Sequence, residues 1–237
     1  MTATYKMFRY MVKQIAGDLM LAMLVIMPFI VGGLFKYGIP ILEEKILAGF
    51  GYGEVLRPYY DLFSWLLAML TGMMFAFIGG LVVLGEIDEG IAKYIIVTPP
   101  GERGYLNSRI VLPAVISGIM TAFLVMVFAI NRLDLITTVV MVLSTAFCGI
   151  ITAFLVVAIS SNKVEGMAVG KLSGLFGITF FAPFFIKGAV SYIFVIFPMY
   201  HVGRWTQTGN MLYLIPAGGL FMIWSIVLYK MFRKKFG

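Results

Sequence analysis

Charge-free apolar runs are the dominant pattern along this chain. An α-helix rises about 1.5 Å per residue, so a run of about 20 residues crosses about 30 Å of hydrocarbon. Four runs are long enough: Leu62 to Gly85, Ile110 to Ile130, Leu135 to Ile159 and Trp205 to Tyr229. A fifth, Leu19 to Phe35, is slightly shorter, and Lys36 can extend it by reaching the headgroups. The pattern predicts at least five membrane-spanning helices.

Two further apolar blocks, Leu172 to Ile186 and Gly188 to Gly203, are separated by a single lysine and can form one span or two. Both ends of the chain are basic, and Lys and Arg favour the cytoplasmic side of a membrane. We therefore expect both termini inside, which requires an even number of crossings. This predicts six spans, with the fifth at about Met167 to Ile186, Lys171 at its inner end, and a re-entrant or outer segment over 187–204.

The composition supports an all-α polytopic membrane protein with one transmembrane domain over 1–237. Hydrophobic residues make up 61% of the chain and charged residues 12%. The net charge of +7 comes from basic residues scattered along membrane flanks, which disfavours nucleic-acid binding. The one cysteine, Cys148, lies in the middle of a span and indicates no disulfide or metal site. No cleavage motif follows the first apolar run, so we expect the first helix to be retained.

An amphipathic helix is predicted before the first span, over 1–18. Apolar residues recur at helical spacing, and basic residues fall on the opposite side. The two sets are Phe8, Met11, Val12 and Ile15, and Lys6, Arg9 and Lys13. The helix can be a flat anchor on anionic headgroups or an elbow helix that braces the bundle and contacts a cytosolic partner, and the two roles are compatible.

A charged segment over 86–107 connects spans two and three. Its periodicity predicts a helix from Glu86 to Val97 on the membrane surface, ended by Pro99 and Pro100. The apolar face is formed by Ile87, Ile91, Tyr94 and Ile95, and the residues pointing away are Glu86, Asp88, Glu89 and Lys93. Glu102 and Arg103 then open the next helical stretch.

The order Glu89-Gly90, Thr98-Pro99, Arg103, Tyr105-Leu106 and a new span resembles the signature loop of type-2 ABC transporter permeases. In that family the loop couples the membrane bundle to the ATPase subunit. The resemblance implies this coupling role for Glu86, Asp88, Glu89, Gly90, Lys93, Thr98, Pro99 and Arg103. Residues Phe197 to His201 resemble the family's Asn-Pro-x-x-Tyr segment, with Phe197 in place of Asn. The phrase MPFIVGGLFKYGIPILEE and the short length resemble small permeases of fluoroquinolone-type drug export.

The resemblance also implies partners and a cargo. No GxxxxGK[ST] motif is present, so ATP and Mg²⁺ are expected on a separate ABC ATPase subunit, and this chain is expected to be neither an enzyme nor a cofactor protein. A second permease copy, identical or homologous, would complete the pathway in a bacterial cell membrane. Spans two and five would line it, with Thr71, Gly72, Ser173 and Thr179 as candidate pathway residues. The 17 Met residues and 15% aromatic content fit a deformable surface for an amphiphilic cargo, and they equally fit ordinary packing.

Other classes of function are less favoured by the sequence. The predicted span interiors contain no ionisable group, which disfavours a proton- or sodium-coupled carrier. No HExxH or GxSxG motif indicates an intramembrane enzyme, and His201 is interpreted as an interfacial polar group. Two alternatives stay open: a passive channel or carrier, and a membrane scaffold or immunity factor that binds a hydrophobic ligand without turnover.

Overall fold

A computed structural model describes residues 3–50, 55–97 and 101–236, which are almost entirely helical and contain no β-strand. The all-α prediction is therefore confirmed. The α-helices in chain order are α1 (Ala3–Gly17), α2 (Leu19–Gly33), α3 (Ile39–Ile41), α4 (Tyr60–Asp88), α5 (Ile91–Ile96), α6 (Gly101–Leu106), α7 (Leu112–Phe128), α8 (Leu135–Ile159), α9 (Lys163–Ile178), α10 (Ala182–Phe185), α11 (Pro198–Thr208) and α12 (Leu214–Phe236). Short 3₁₀ or π-helical segments extend or join them at Leu34–Gly38, Leu42–Leu47, Ala48–Phe50, Arg57–Tyr59, Asn107–Val111, Thr179–Phe181, Ala189–Ile196 and Met211–Tyr213.

Six helical stretches in the described part of the chain are long and apolar enough to cross a membrane. We call them spans one to six: Leu19–Lys45, Arg57–Asp88, Gly101–Phe128, Leu135–Ile159, Lys163–Phe185 and Met211–Lys235. The prediction of six spans is confirmed, and two boundaries are corrected. Span five begins at Lys163, so Lys171 lies two turns inside it and does not mark its end. Span six begins at Met211, because Trp205 belongs to the separate helix α11.

Span two is the centre of the bundle. In its most apolar window 72% of the residues are buried, against 17% for spans one and six. Small residues let it approach span four closely: a Cβ on Gly149 would lie 2.7 Å from the carbonyl oxygen of Gly72, and one on Gly72 would lie 2.8 Å from the same atom of Thr145. Both glycines therefore serve backbone packing.

Helix α1 is amphipathic, as its sequence predicts. Met11 is buried on a cluster formed with span two, and Phe8 and Ile15 pack against the same cluster. Val12, predicted on the apolar face, is 46% exposed. Asp18 alone separates α1 from span one, where it is the N-cap. Its carboxylate accepts hydrogen bonds from the backbone N–H groups of Met20 and Leu21 at 3.0 and 3.2 Å.

The segment over 187–204 contains a 3₁₀ helix and most of α11, and it joins spans five and six. Helix α11 is buried against the end of span five, where a Cβ on Gly203 would overlap the carbonyl oxygen of Phe180. Phe180 in turn stacks on Trp65 of span two, with ring centroids 4.4 Å apart. His201 is buried, and its Nε2 donates to the Val195 carbonyl at 2.8 Å. The depth of this segment in the bilayer stays a prediction.

Candidate functional site

Both described ends of the chain and the segment between spans two and three lie at one end of the bundle, which we call the polar end. The guanidinium of Arg109 donates to the carbonyl of Met7 in α1 at 2.7 Å. The ammonium of Lys235, at the end of span six, donates to the carbonyls of Val157 and Ser160 at the end of span four. Both described ends therefore lie on one side of the bundle.

A buried ion pair joins spans two and three at this end. Glu86 and Arg109 are each about 1% exposed. The Arg109 Nη2 lies 2.6 Å from one carboxylate oxygen of Glu86, and Nε lies 3.0 and 3.1 Å from the two oxygens. The Tyr105 hydroxyl donates to the same carboxylate at 2.8 Å. The guanidinium thus makes a bidentate contact with the carboxylate and also binds α1, and most of its N–H donors are used.

The local geometry explains why Glu86 faces inward. Span two ends at Asp88, two residues beyond Glu86, with Glu89 as its C-cap, and Gly90 then takes a φ of +70° that favours glycine. Gly79 lets span three approach closely, since a Cβ there would overlap the carbonyl oxygen of Arg109. Two predictions are therefore wrong: residues 86–97 do not form one helix, and the side chain of Glu86 does not point outward.

Lys163 ties three spans together at the same end. Its ammonium lies 2.5 Å from a carboxylate oxygen of Asp18, and its backbone N–H donates to the carboxylate of Asp88 at 2.9 Å. The hydrogen bond from Lys163 is the main reason that the pKa of Asp18 lies below its ordinary value. Asp88, predicted as a coupling residue, therefore also fixes the start of span five to the end of span two.

Three more of the predicted coupling residues, Glu89, Gly90 and Arg103, are described and exposed. Together with the exposed Tyr94 and Val97 they form a surface that we call the tip. Tyr94 is 76% exposed and Val97 82% exposed, although Tyr94 was predicted on the apolar face. Within the described residues, the side chains of Glu89 and Arg103 have neither an ion pair nor a hydrogen bond. The side chain of Lys93, and Thr98 and Pro99 entirely, lie outside the described residues. The tip combines two exposed charges of opposite sign with exposed apolar groups.

The basic residues predicted on the outer face of α1, Lys6, Arg9 and Lys13, are all exposed. The helix contacts residues 101–111, which begin span three. These basic side chains are therefore available to a headgroup layer or to a partner at the polar end.

A second region is an open cleft between spans. Its volume is about 500 Å³, spans one, two and five form most of its lining, and we call it the methionine cleft. Five of its lining residues are methionines: Met20, Met69, Met73, Met74 and Met167. Phe77 and Phe181 add aromatic rings, and Lys171, Ser173 and Thr152 are the lining residues with polar side chains. The volume falls within the range of small-molecule sites.

The candidate pathway residues do not gather at this cleft. Ser173 lines it, with its hydroxyl donating to the Gly170 carbonyl at 2.7 Å. Thr71 is buried and bonds the Leu67 carbonyl, Thr179 bonds the Phe176 carbonyl, and Gly72 packs on span four. The cleft residues that were missed on span two recur every three or four positions: Leu66, Met69, Leu70, Met73, Met74 and Phe77. That spacing marks one helical face in the sequence.

No group of three or more metal-binding side chains of the His, Cys, Asp or Glu type occurs within residues 3–50, 55–97 and 101–236. No curated protein and no solved structure matches the chain. One family model does match, over residues 11–231, and its description is "Fluoroquinolones export permease protein Rv2686c-like". This match covers nearly the whole chain, from within α1 to within span six. The chain belongs to the Rv2686c-like family of fluoroquinolones export permease proteins.

Proposed function

We propose that this chain is the membrane subunit of an ATP-driven exporter of fluoroquinolone-type or similarly apolar drugs, with ATP and Mg²⁺ bound by a separate ABC ATPase. The observation that supports coupling to an ATPase is the composition of the tip. It combines exposed apolar side chains, Tyr94 in the short helix α5 and Val97 at its end, with the exposed charges of Glu89 at the end of span two and Arg103 at the start of span three. Such a mixture of exposed apolar groups and exposed charges is typical of a protein-binding surface.

The polar end is proposed to face the cytoplasm, with both termini inside. Basic residues of α1, the tip and span six gather there, and Lys and Arg favour that side. In this orientation the ATPase meets the tip, and a bacterial cell membrane surrounds the six spans. One bundle forms half of the pathway, so a second permease copy, identical or homologous, completes it.

Movement of the ATPase would reach the cleft through fixed contacts. The tip follows span two directly, and Asp88 of span two binds the first residue of span five. Spans two and five line the methionine cleft. ATP-driven movement of the tip would therefore shift both walls of the cleft together, between inward and outward access.

Charge reversal at the tip tests this proposal. The variant Glu89→Lys/Arg103→Glu is compared with Glu44→Lys/Arg132→Glu, which makes the same changes at exposed residues of the opposite end. Each chain is affinity-tagged, expressed in its source cells and purified in mild detergent. Recovery of an ATPase is measured by mass spectrometry, and drug efflux is measured in the same cells.

The tip variant is expected to lose both the ATPase and efflux at unchanged expression and thermal stability, while the control keeps both. Recovery of the ATPase with the tip variant would contradict the proposal. Efflux by the purified wild-type chain alone in liposomes would instead identify a passive channel or carrier. Drug binding without efflux in cells, with the ATPase still absent from the wild-type preparation, would identify a scaffold.

A further inference from the structure

We propose that the methionine cleft recognises an aromatic anion, with Lys171 binding the anionic group and the methionine sulfurs contacting the aromatic body. This inference names the cargo class of the proposed exporter and rests on that proposed function. It assigns Lys171 as a specificity-determining residue.

Among the described residues, Lys171 is the one charged side chain that lines the methionine cleft. Its ammonium has no ion pair or hydrogen bond within that part of the chain, and its side chain is exposed. It lies eight residues after the start of span five, which is about 12 Å along the helix axis. A lysine within a membrane-spanning helix is costly, and such residues are by default candidates for a functional site.

The space beside Lys171 is open. Gly174 lies three residues after Lys171 on the cleft wall, and a Cβ there would meet nothing within 4 Å. This glycine leaves the lysine stem uncovered on its side, whereas the ring of Phe77 covers Gly170. An anionic group can therefore approach the ammonium without displacing another side chain.

The aromatic part of the site lies further along the helix. The Sδ atoms of Met73 and Met69 lie 2.9 and 3.6 Å from the Cβ position of Gly177, so both sulfurs converge on this point of span five. Gly177 follows Lys171 by six residues, about 9 Å along the axis. Methionine sulfurs favour the edges of aromatic rings. A ligand with an acidic group about 9 Å from the far edge of its ring system would contact both regions.

An alternative occupant of the Lys171 ammonium is the headgroup of an anionic lipid, because lysine side chains can extend towards the interface. If a lipid headgroup binds Lys171, the shape of the molecule attached to the anionic group should not affect binding. The methionine wall favours a rigid aromatic body, and for that reason we assign the site to cargo.

The test uses two fluorescent probes with one ring system: 8-anilinonaphthalene-1-sulfonate, an anion, and N-phenyl-1-naphthylamine, which lacks the sulfonate. The full chain is reconstituted in phosphatidylcholine nanodiscs, and the saturable fluorescence beyond that of empty nanodiscs gives Kd. The variants are Lys171→Gln, Lys171→Arg and Gly174→Leu, and Lys187→Gln is the matched control at another exposed lysine of the described chain.

Wild type is expected to bind the anion more tightly than the neutral probe. Lys171→Gln should weaken anion binding about tenfold, the scale of one hydrogen bond to a charged group, and leave the neutral probe unchanged. Lys171→Arg and Lys187→Gln should keep the preference, and Gly174→Leu should weaken both probes by filling the cleft.

Equal binding of the anion to wild type and Lys171→Gln would overturn the inference, as would unchanged binding of both probes to Gly174→Leu. A parallel loss of both probes in Lys171→Gln would show a structural role for the lysine and would also overturn it. Repetition with phosphatidylglycerol separates the sources of charge: loss of the anion preference there would assign the ammonium to lipid. The assay contains no ATPase and leaves the tip intact, so its failure is distinct from failure of the proposed coupling.

Discussion

Replacement of Arg109 by Met should strongly destabilise the bundle. The change removes the bidentate contact with Glu86 and the bond to the Met7 carbonyl. Glu86 would keep the Tyr105 hydroxyl as a donor but would be a buried carboxylate without a counter-charge. Breaking a buried ion pair in this way costs about 3–5 kcal/mol, and most of that cost comes from the charge left behind.

The double variant Glu86→Gln/Arg109→Met separates this cost from lost packing. Its new glutamine side chain would be neutral and could still accept from Tyr105, so removing the second charge should recover at least about 2 kcal/mol of the loss. The control is Arg132→Met, which removes an exposed guanidinium at the opposite end and should change stability by less than about 0.5 kcal/mol.

Thermal unfolding in detergent measures wild type, these three variants and the single variant Glu86→Gln. For a chain of this length about 1 kcal/mol corresponds to 2–4 °C, so Arg109→Met should lower Tm by roughly 10 °C. Two results would refute the reasoning: a Tm for Arg109→Met equal to that of Arg132→Met, or a double variant whose loss is the sum of the two single losses.

Three further predictions concern other parts of the bundle. Gly203→Ala should lower stability by about 1–3 kcal/mol, because the added Cβ would overlap the Phe180 carbonyl oxygen. Gly219→Ala should be neutral or slightly stabilising, because the added Cβ would lie in open space. The Tm values of the two variants test this. Trp65→Ala should cost about 3–5 kcal/mol, since the ring is fully buried against Phe180, and a Tm within about 2 °C of wild type would contradict the packing. Asp18→Asn should lower Tm at about pH 6, and the difference from wild type should shrink as the pH falls below 3.8. The pKa of Asp18 is lowered in the folded chain, so its carboxylate stabilises the fold above the unfolded-state pKa. Protonation at lower pH removes this effect.

The number of spans and the amphipathic helix could be predicted because both follow from local patterns. In lipid an apolar run must satisfy its backbone hydrogen bonds within itself, and it does so as a helix whatever its neighbours are. The positions of Met11 and the exposed Lys6, Arg9 and Lys13 likewise follow from the helical period of about 3.6 residues.

The direction of charged groups near span ends could not be predicted in the same way. Glu86 and Asp88 are two residues apart, yet one is buried against Arg109 and the other is exposed and bonds Lys163. Their helical faces depend on where span two ends and on which spans lie beside it, and both are tertiary properties. The Glu89-Gly90 pair is the one local signal for that end, because glycine favours a left-handed residue after a helix.

The methionine cleft could not be predicted for the same reason. Methionines at helical spacing identify one face of span two, but the spacing does not say which other span that face meets. Met69 and Met73 form a cleft wall because the glycines of span five lie opposite them; Gly72, between them in sequence, faces span four. A substitution on span five can therefore reshape the cleft without touching a methionine. Gly170 is such a position, because a Cβ there would overlap the ring of Phe77.

The contacts at the polar end divide the spans into unequal groups, and this division bears on the proposed transport cycle. The Glu86–Arg109 pair is buried and satisfied, so spans two and three and helix α1 should move as one body. Lys163 binds Asp18 through an ion pair in which both side chains are about 30% exposed, and such a pair is weak. This pair joins spans one and five, two of the three spans that form most of the methionine cleft. If the cleft opens during transport, the Asp18–Lys163 pair is therefore the contact that yields. The bond from the Lys163 N–H to Asp88 keeps span five on span two, and the buried pair at Arg109 keeps spans two and three together.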